Sequence, residues 1–75
     1  MPLVQVRVIE GVFSAVQKQE MIGRLTDSMV AIAGEALRPV TWVVVEEVDS
    51  GAWGIGGKSL TTADVQALQS ASAVR

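Results

Sequence analysis

A single helical pattern between two strand patterns constrains the fold of this 75-residue chain more than any other feature. The first strand pattern covers Leu3–Ile9, where valines alternate with other residues and so share one face. The helical pattern runs from about Ala15 to Ala33, and a valine-rich second strand pattern covers residues 40–48. A strand, a helix and a strand form a βαβ unit with parallel strands and a right-handed crossover. We therefore predict an α/β (α+β) fold, as one domain over residues 1–75.

Signals for the start and the end of the helix are present in the sequence. Ser14 and Gln17 have the spacing of a capping box, and Gly34 is a plausible stop. Gly23 lies inside the helix, where glycine costs about 1 kcal/mol relative to alanine, and it would allow another element to approach closely. The hydrophobic stripe that we predict to pack in the core consists of Met21, Ile22, Leu25, Met29, Ile32 and Ala33.

The chain after the second strand is short and rich in glycine. Residues 49–52 predict a turn, and residues 53–57 combine an aromatic side chain with glycines, which is typical of a short hairpin. Thr61 or Thr62 is a candidate cap for a short helix that passes through Val65 and Leu68. The last few residues are expected to be frayed.

The composition excludes several classes of function. The net charge is −2 and no run of lysine or arginine exists, so nothing indicates a nucleic-acid partner. The sequence contains no cysteine and no histidine, which removes disulfides and the commonest metal ligands. We expect no metal and no cofactor. No apolar run reaches membrane-spanning length and no signal peptide is recognised, so we expect a soluble cytoplasmic protein without a membrane partner.

The proportion of hydrophobic residues indicates an oligomer. They make up 49% of the chain, whereas charged residues make up 19%. A chain of this size buries only about 60% of its unfolded surface, so a lone monomer would be marginally stable. The middle of the second strand is apolar on both faces, and one helix can cover only one of them. We therefore expect contacts between copies of this chain.

Few side chains in this sequence offer reactive chemistry. Glu46 and Glu47 are adjacent and face opposite ways on a strand, so they cannot act as a carboxylate pair. If Met1 is removed, the nitrogen of Pro2 becomes a secondary amine at the start of a strand, able to act as a base or a nucleophile. The stretch Gly56-Gly57-Lys58-Ser59 matches the end of a phosphate-binding loop, but the leading glycine is replaced by Ala52, which leaves a weak third reading as a phosphate-binding module.

The order and spacing of these motifs resemble the 4-oxalocrotonate tautomerase family over about residues 2–57. The resemblance implies a β-α-β protomer, usually in a homohexamer built as a trimer of dimers, with sites at subunit contacts. It implies that Met1 is removed and that Pro2 is the catalytic base. Ile9 and the hairpin aromatic Trp53 would line the pocket. The residues that carry the resemblance are Pro2, Ile9-Glu10-Gly11, Gln17-Lys18, the valine-rich strand and Gly51-Ala52-Trp53-Gly54-Ile55-Gly56-Gly57.

The sequence departs from the family pattern at two positions that bind substrate carboxylates. An arginine is expected directly after Glu10-Gly11, where Val12-Phe13 stand, and another early in the second strand, where Trp42 stands. Arg38 is our candidate replacement as anion anchor, and the other candidates are Arg7 and Lys58. The absence of a carboxylate just after Trp53 disfavours hydrolytic dehalogenation.

We predict a tautomerase or isomerase acting on a small enolisable acid with one carboxylate, in which Pro2 is catalytic and Ile9, Arg38, Trp42 and Trp53 bind the substrate. The alternative is a non-enzymatic oligomeric protein that has kept this fold and lost the carboxylate-binding site.

Overall fold

In a computed structural model, the structure describes residues 1–73, and the predicted order of strands and helices is confirmed. Residues 74 and 75, on which part of the predicted fraying falls, lie outside the described residues. The elements in chain order are β1 (Leu3–Ile9), α1 (Ala15–Ala33), a 3₁₀ helix (Glu35–Val40), β2 (Trp42–Val48), β3 (Trp53–Ile55), β4 (Lys58–Leu60) and α2 (Thr62–Ala73).

Strands β1 and β2 form a two-stranded parallel sheet, as predicted for a βαβ unit. At its start, the backbone amide of Trp42 donates to the carbonyl oxygen of Pro2 at 3.0 Å. At its end, the amide of Glu10 donates to the carbonyl oxygen of Val48 at 2.8 Å. Both bonds belong to one parallel register, which places Leu3 opposite Trp42.

The described chain separates into two compact units. The first contains residues 1–7 and 14–46, and therefore α1, the 3₁₀ helix and most of β1 and β2. The second contains residues 8–13 and the chain from Glu47 onwards, with the β3–β4 hairpin and α2. The single domain predicted from the chain length stays a prediction.

Helix α1 has the predicted boundaries because its two ends are defined by local hydrogen bonds. The amide of Gln17 donates to Ser14 Oγ at 3.1 Å, and the amide of Ser14 donates to Gln17 Oε1 at 2.9 Å, which completes the capping box. At the other end, Gly34 has a φ of +102° and its amide donates to the carbonyl of Val30 at 2.8 Å. A positive φ favours glycine, so the helix ends there.

The predicted hydrophobic stripe of α1 is correct in its centre and wrong at one edge. Met21, Leu25 and Met29 are half-buried, but Ile32 is 83% exposed. Val30, which the stripe omitted, is buried. Residues two apart in an α-helix point to nearly opposite sides, so burial of Val30 turns Ile32 outwards. The two other predicted members of the stripe, Ile22 and Ala33, are also exposed.

The close approach expected at Gly23 is absent within the described residues. A Cβ atom added to Gly23 would meet no atom within 4 Å, apart from the chain neighbours and the backbone of its own helix. In this chain, Gly23 therefore makes room for no other element.

The 3₁₀ helix Glu35–Val40 was not predicted, and it shortens the expected second strand. The amide of Thr41 donates to the carbonyl of Arg38 at 3.2 Å, and Thr41 Oγ1 donates to the carbonyl of Leu37 at 2.8 Å. These bonds hold Thr41 in the turn, so β2 begins at Trp42 and not at residue 40.

The C-terminal part contains the predicted hairpin and a longer helix than expected. Trp53 pairs with Leu60 in the antiparallel β3–β4 ladder. Gly56 and Gly57 join the strands with φ values of +58° and +82°, which suits a two-residue turn of type I′. Helix α2 extends to Ala73, and no helix within residues 1–73 has both the length and the hydrophobicity needed to cross a bilayer.

Candidate active site

Pro2 and Trp42 lie together at the start of the parallel sheet. Pro2 is half-buried, and its carbonyl oxygen accepts the hydrogen bond from the amide of Trp42. Met1 is present and 82% exposed, so in this chain the nitrogen of Pro2 is an amide. The sheet thus fixes Pro2 through its carbonyl group, and Met1 before it is exposed.

The side chain of Trp42 belongs to an open apolar surface. Trp42 is 59% exposed, and Leu3, its neighbour on β1, is 56% exposed. The register places both residues on the same face of the sheet. Leu3, the residue after Pro2, and Trp42 therefore form an exposed hydrophobic surface.

Arg38 is held by two carboxylates. Its Nε donates to Glu35 Oε1 at 2.6 Å, its Nη2 faces Glu35 Oε2 at 3.4 Å, and its Nη1 donates to Asp27 Oδ1 at 2.9 Å. These hydrogen bonds, the one with Glu35 first, raise the pKa of Arg38 above its ordinary value. The same contact lowers the pKa of Glu35. The guanidinium is therefore charged, and its positive charge is balanced by neighbours within the chain.

The backbone of Arg38 is connected to the start of β2. Its carbonyl oxygen accepts the amide of Thr41, and the next residue, Trp42, donates to Pro2. Arg38 thus lies one turn before the Pro2–Trp42 contact along the chain. Two other cations were candidates for the anion anchor, Arg7 on β1 and Lys58 on β4. Neither forms an ion pair with a residue in the range 1–73.

In the second compact unit, Ile9 is buried and precedes a hydrogen-bonded turn. Glu10 Oε1 accepts the amide of Ser50 at 2.9 Å, and the carbonyl of Glu10 accepts Thr62 Oγ1 at 2.6 Å. The amide of Thr62 donates to Ser50 Oγ at 2.9 Å, which closes a ring of three residues. These contacts position the end of β1, and no local sequence signal revealed them because the residues are far apart in the chain.

Gly11 follows Glu10 in this turn, at a position where a side chain would be strained. Its φ is +78°, and an added Cβ would lie 3.2 Å from Thr62 Cγ2. Both observations favour glycine directly after Glu10. The Glu10-Gly11 pair, which is part of the resemblance to the tautomerase family, is therefore explained by the geometry of this turn.

Trp53 begins β3 and is half-buried. Gly56 and Gly57 form the turn of the hairpin, and Lys58 pairs with Ile55 across that turn. A phosphate-binding loop needs glycines that lead into a helix, whereas residues 58–60 are a strand. The hydroxyl of Ser59 donates to the carbonyl of Gly51. Residues 53–60 therefore do not have the geometry of a phosphate-binding loop.

Three of the five predicted site residues lie in the first compact unit and two in the second. In the first unit, Pro2 and Trp42 are in direct contact, and Arg38 is linked to Trp42 through Thr41. In the second unit, Ile9 and Trp53 stand at the end of β1 and the start of β3.

Sequence comparisons place this chain among tautomerases. The family model described as "Tautomerase enzyme" matches residues 2–63. A probable tautomerase of Dickeya dadantii (strain 3937) is 38% identical over 68 residues, which cover 89% of this chain and 98% of that protein. A probable tautomerase of Ralstonia nicotianae (strain ATCC BAA-1114 / GMI1000) is 42% identical over 57 residues, which cover 76% of this chain and 79% of that protein.

Solved structures agree with this result. The structure of DmpI from Helicobacter pylori superposes with a TM-score of 0.69 at 30% identity, over 79% of this chain and 95% of that one. A 4-oxalocrotonate tautomerase isozyme from Methylibium petroleiphilum gives a TM-score of 0.67 at 30% identity, over 85% of this chain and 97% of that one. From its sequence and its fold, the chain belongs to the tautomerase family of isomerases.

Proposed function

We propose that this protein moves a proton on a small enolisable keto or enol acid, with Pro2 as the general base after Met1 is removed. The observation that carries the proposal is the position of Pro2, which is half-buried at the start of β1 and held by the amide of Trp42. The family match covers residues 2–63 and so includes Pro2.

A terminal proline amine has suitable chemistry for this reaction. A free α-amino group titrates at a pKa of about 7.7–8.0, and burial in an apolar pocket lowers that value because it disfavours the charged form. A base with a pKa near neutrality is effective at removing a proton next to a carbonyl group. For an enol substrate the amine takes the proton from the enol hydroxyl and returns it to a carbon of the same molecule, and the reverse holds for a keto acid, so no cofactor enters the proposed reaction.

The proposed substrate carries one carboxylate and an apolar body. The apolar residues proposed to contact the substrate are Trp42 in the first compact unit, and Ile9 and Trp53 in the second. Two tryptophans favour an aromatic substrate. Arg38 would bind the carboxylate, in place of the two arginines expected from the family pattern. Its present contacts mean that a substrate must compete with Glu35 or Asp27 for the guanidinium.

A homohexamer is the proposed assembly, built as a trimer of dimers. Ile9 and Val30 are the only hydrophobic side chains that are buried among the described residues, whereas Leu3 and Trp42 are more than half exposed. Contacts between copies would cover this surface. Sedimentation at several protein concentrations tests the proposal, and a monomer at micromolar concentration would contradict it. The proposed location is the cytoplasm.

One observation favours a second candidate, a non-enzymatic oligomer with the tautomerase fold. Arg38 is already paired with two carboxylates, and Trp42 carries no charge. A chain that had lost its carboxylate-binding site would have these features. The two candidates differ in a single measurable property, which is turnover that depends on Pro2.

The decisive experiment compares the mature protein with its Pro2→Ala variant. Intact mass first shows whether Met1 is absent, and circular dichroism shows that both proteins are folded. Phenylenolpyruvate and 2-hydroxymuconate are then assayed as substrates. We expect a large loss of rate in Pro2→Ala and alkylation of Pro2 alone by 3-bromopropiolate. Equal rates in the two proteins would remove Pro2 from the mechanism, and no turnover in either would favour the second candidate.

A further inference from the structure

The two carboxylates around Arg38 occupy different parts of its guanidinium. Glu35 faces the edge formed by Nε and Nη2 with both of its oxygens, at 2.6 and 3.4 Å. Asp27 contacts only Nη1, at 2.9 Å. The edge-on arrangement of Glu35 is the one in which arginine binds a carboxylate through two parallel hydrogen bonds. Glu35 therefore occupies the part of Arg38 that suits an incoming acid.

The exposure of these side chains makes an exchange of partners feasible. The side chain of Glu35 is 74% exposed, whereas that of Arg38 is 42% exposed. Ion pairs in contact with water contribute little to stability, so the contact with Glu35 can be broken at small cost. Asp27 lies on α1, eleven residues from Arg38 in the chain, and its side chain is 69% exposed. Its contact with Nη1 does not involve the Nε–Nη2 edge, so it can persist when Glu35 leaves.

We propose that Glu35 is an internal competitor for the anion anchor: it covers the Nε–Nη2 edge of Arg38 in the free protein, and the substrate carboxylate replaces it. Asp27 is the positioning residue that keeps Nη1 occupied during the exchange. The inference rests on the proposed function, because it takes Arg38 as the anchor for a single carboxylate. Glu35 then lowers the affinity of Arg38 for an acid.

This arrangement limits the ligand to one carboxylate at Arg38. With Asp27 on Nη1, the guanidinium offers one free edge after Glu35 leaves. A neutral amide or ester cannot replace the charge of Glu35. Arg38 is therefore expected to bind a single carboxylate of its ligand, and an uncharged analogue of the same acid should not replace Glu35.

The test uses the full mature protein labelled with ¹⁵N and benzoate as the probe. The Nε–Hε resonance of Arg38, identified with Arg38→Lys, reports binding directly and does not depend on catalysis. Benzamide is the uncharged matched ligand. Arg24, which pairs with Glu20 on the surface of α1, is the internal control for nonspecific effects of salt. Glu35→Ala and Asp27→Ala remove the same charge from the same guanidinium, but only Glu35→Ala frees the Nε–Nη2 edge.

We expect benzoate, and not benzamide, to shift the Arg38 resonance. Glu35→Ala should tighten benzoate binding and lower KM for phenylenolpyruvate by about 2- to 5-fold, which is the worth of an exposed ion pair, and Asp27→Ala should not. An Arg38 resonance that benzoate leaves unchanged in all variants, or equal tightening in both variants, would overturn the exchange. If Pro2→Ala keeps full activity while benzoate still exchanges with Glu35, the proposed function fails and the anion site remains.

Discussion

The amide nitrogen of Trp42 lies 3.0 Å from the carbonyl oxygen of Pro2 and donates a hydrogen bond to it. The bond joins the residue that begins β2 to the residue that precedes β1, so the backbone of Trp42 is fixed next to that of the proposed base. By resemblance to 4-oxalocrotonate tautomerases, an arginine is expected at this position. Tryptophan carries no charge and offers no cation to a second carboxylate, which agrees with the proposed preference for monocarboxylates.

Trp42→Arg is predicted to shift specificity towards dicarboxylates. The position is 59% exposed, so the longer cationic side chain can be accommodated. Hydrogen bonds to charged groups contribute about 1.5–3 kcal/mol, so kcat/KM for 2-hydroxymuconate relative to phenylenolpyruvate should rise about 10- to 100-fold. Steady-state kinetics on both substrates measures this ratio.

Trp42→Leu is the control for this substitution, because it removes the indole ring without adding a charge. We expect its ratio of the two kcat/KM values to stay close to that of the unmodified protein. If Trp42→Leu raises the ratio as much as Trp42→Arg does, the loss of bulk would explain the change, and the argument from charge would be wrong.

Gly11→Ala is predicted to destabilise the protein for two separable reasons. The φ of +78° is unfavourable for a residue with a Cβ by about 1–2 kcal/mol, and the new methyl group would lie 3.2 Å from Thr62 Cγ2. Urea unfolding followed by circular dichroism measures the combined loss of stability.

The double variant Gly11→Ala/Thr62→Ser separates these reasons. Serine lacks the Cγ2 methyl group but keeps the hydroxyl that donates to Glu10. We expect it to recover the steric part of the loss and to leave the backbone part. No recovery at all would show that the contact with Thr62 does not contribute.

Gly23→Ala is predicted to stabilise α1. Nothing in the described chain approaches an added Cβ, and alanine is favoured over glycine inside a helix by about 1 kcal/mol. The free energy of unfolding should therefore rise by about this amount. Gly34→Ala is the matched control: the space around it is equally open, but its φ of +102° should make the substitution destabilising.

A contact between subunits at Gly23 would contradict this prediction. If another subunit packs against α1 at this residue, Gly23→Ala would weaken association and lower stability in a concentration-dependent way. That result would show that the glycine serves a contact between subunits, which a single chain does not contain.

The sequence predicted the elements whose determinants are local. Alternating valines define β1, and Ser14, Gln17 and Gly34 determine both ends of α1 through contacts with near neighbours. The 3₁₀ helix was missed because six residues containing Pro39 show no hydrophobic period.

The contacts that determine the candidate site connect distant residues. Asp27 and Arg38 form a hydrogen bond although they are eleven residues apart in the chain. Glu10 and Thr62 do so although they are fifty-two residues apart. Such pairs leave no pattern in one sequence. Pro2 can be proposed from the sequence because its chemistry depends on its place in the chain, whereas the pairing of Arg38 with two carboxylates is visible only in the structure.

The start of α2 supplies a prediction about pH. Asp64 Oδ2 accepts the amide of Thr61 at 2.9 Å, and the amide of Asp64 is 3.2 Å from Thr61 Oγ1. The backbone hydrogen bond from Thr61, followed by the bond with its hydroxyl, lowers the pKa of Asp64 below its ordinary value of 3.8. The stabilisation is therefore fully present above 3.8 and is lost as the pH falls through the lower pKa of the folded state.

Asp64→Asn should consequently lower the melting temperature near neutral pH, and the difference from the unmodified protein should shrink as the solution is acidified. Thr61→Val tests the cause, because it removes the hydroxyl and keeps the amide that contributes most to the shift. We expect Thr61→Val to retain most of the pH dependence that Asp64→Asn abolishes. Melting followed by circular dichroism across the acid range measures both variants. A difference between Asp64→Asn and the unmodified protein that stays constant with pH would mean that the charge of Asp64 does not stabilise α2.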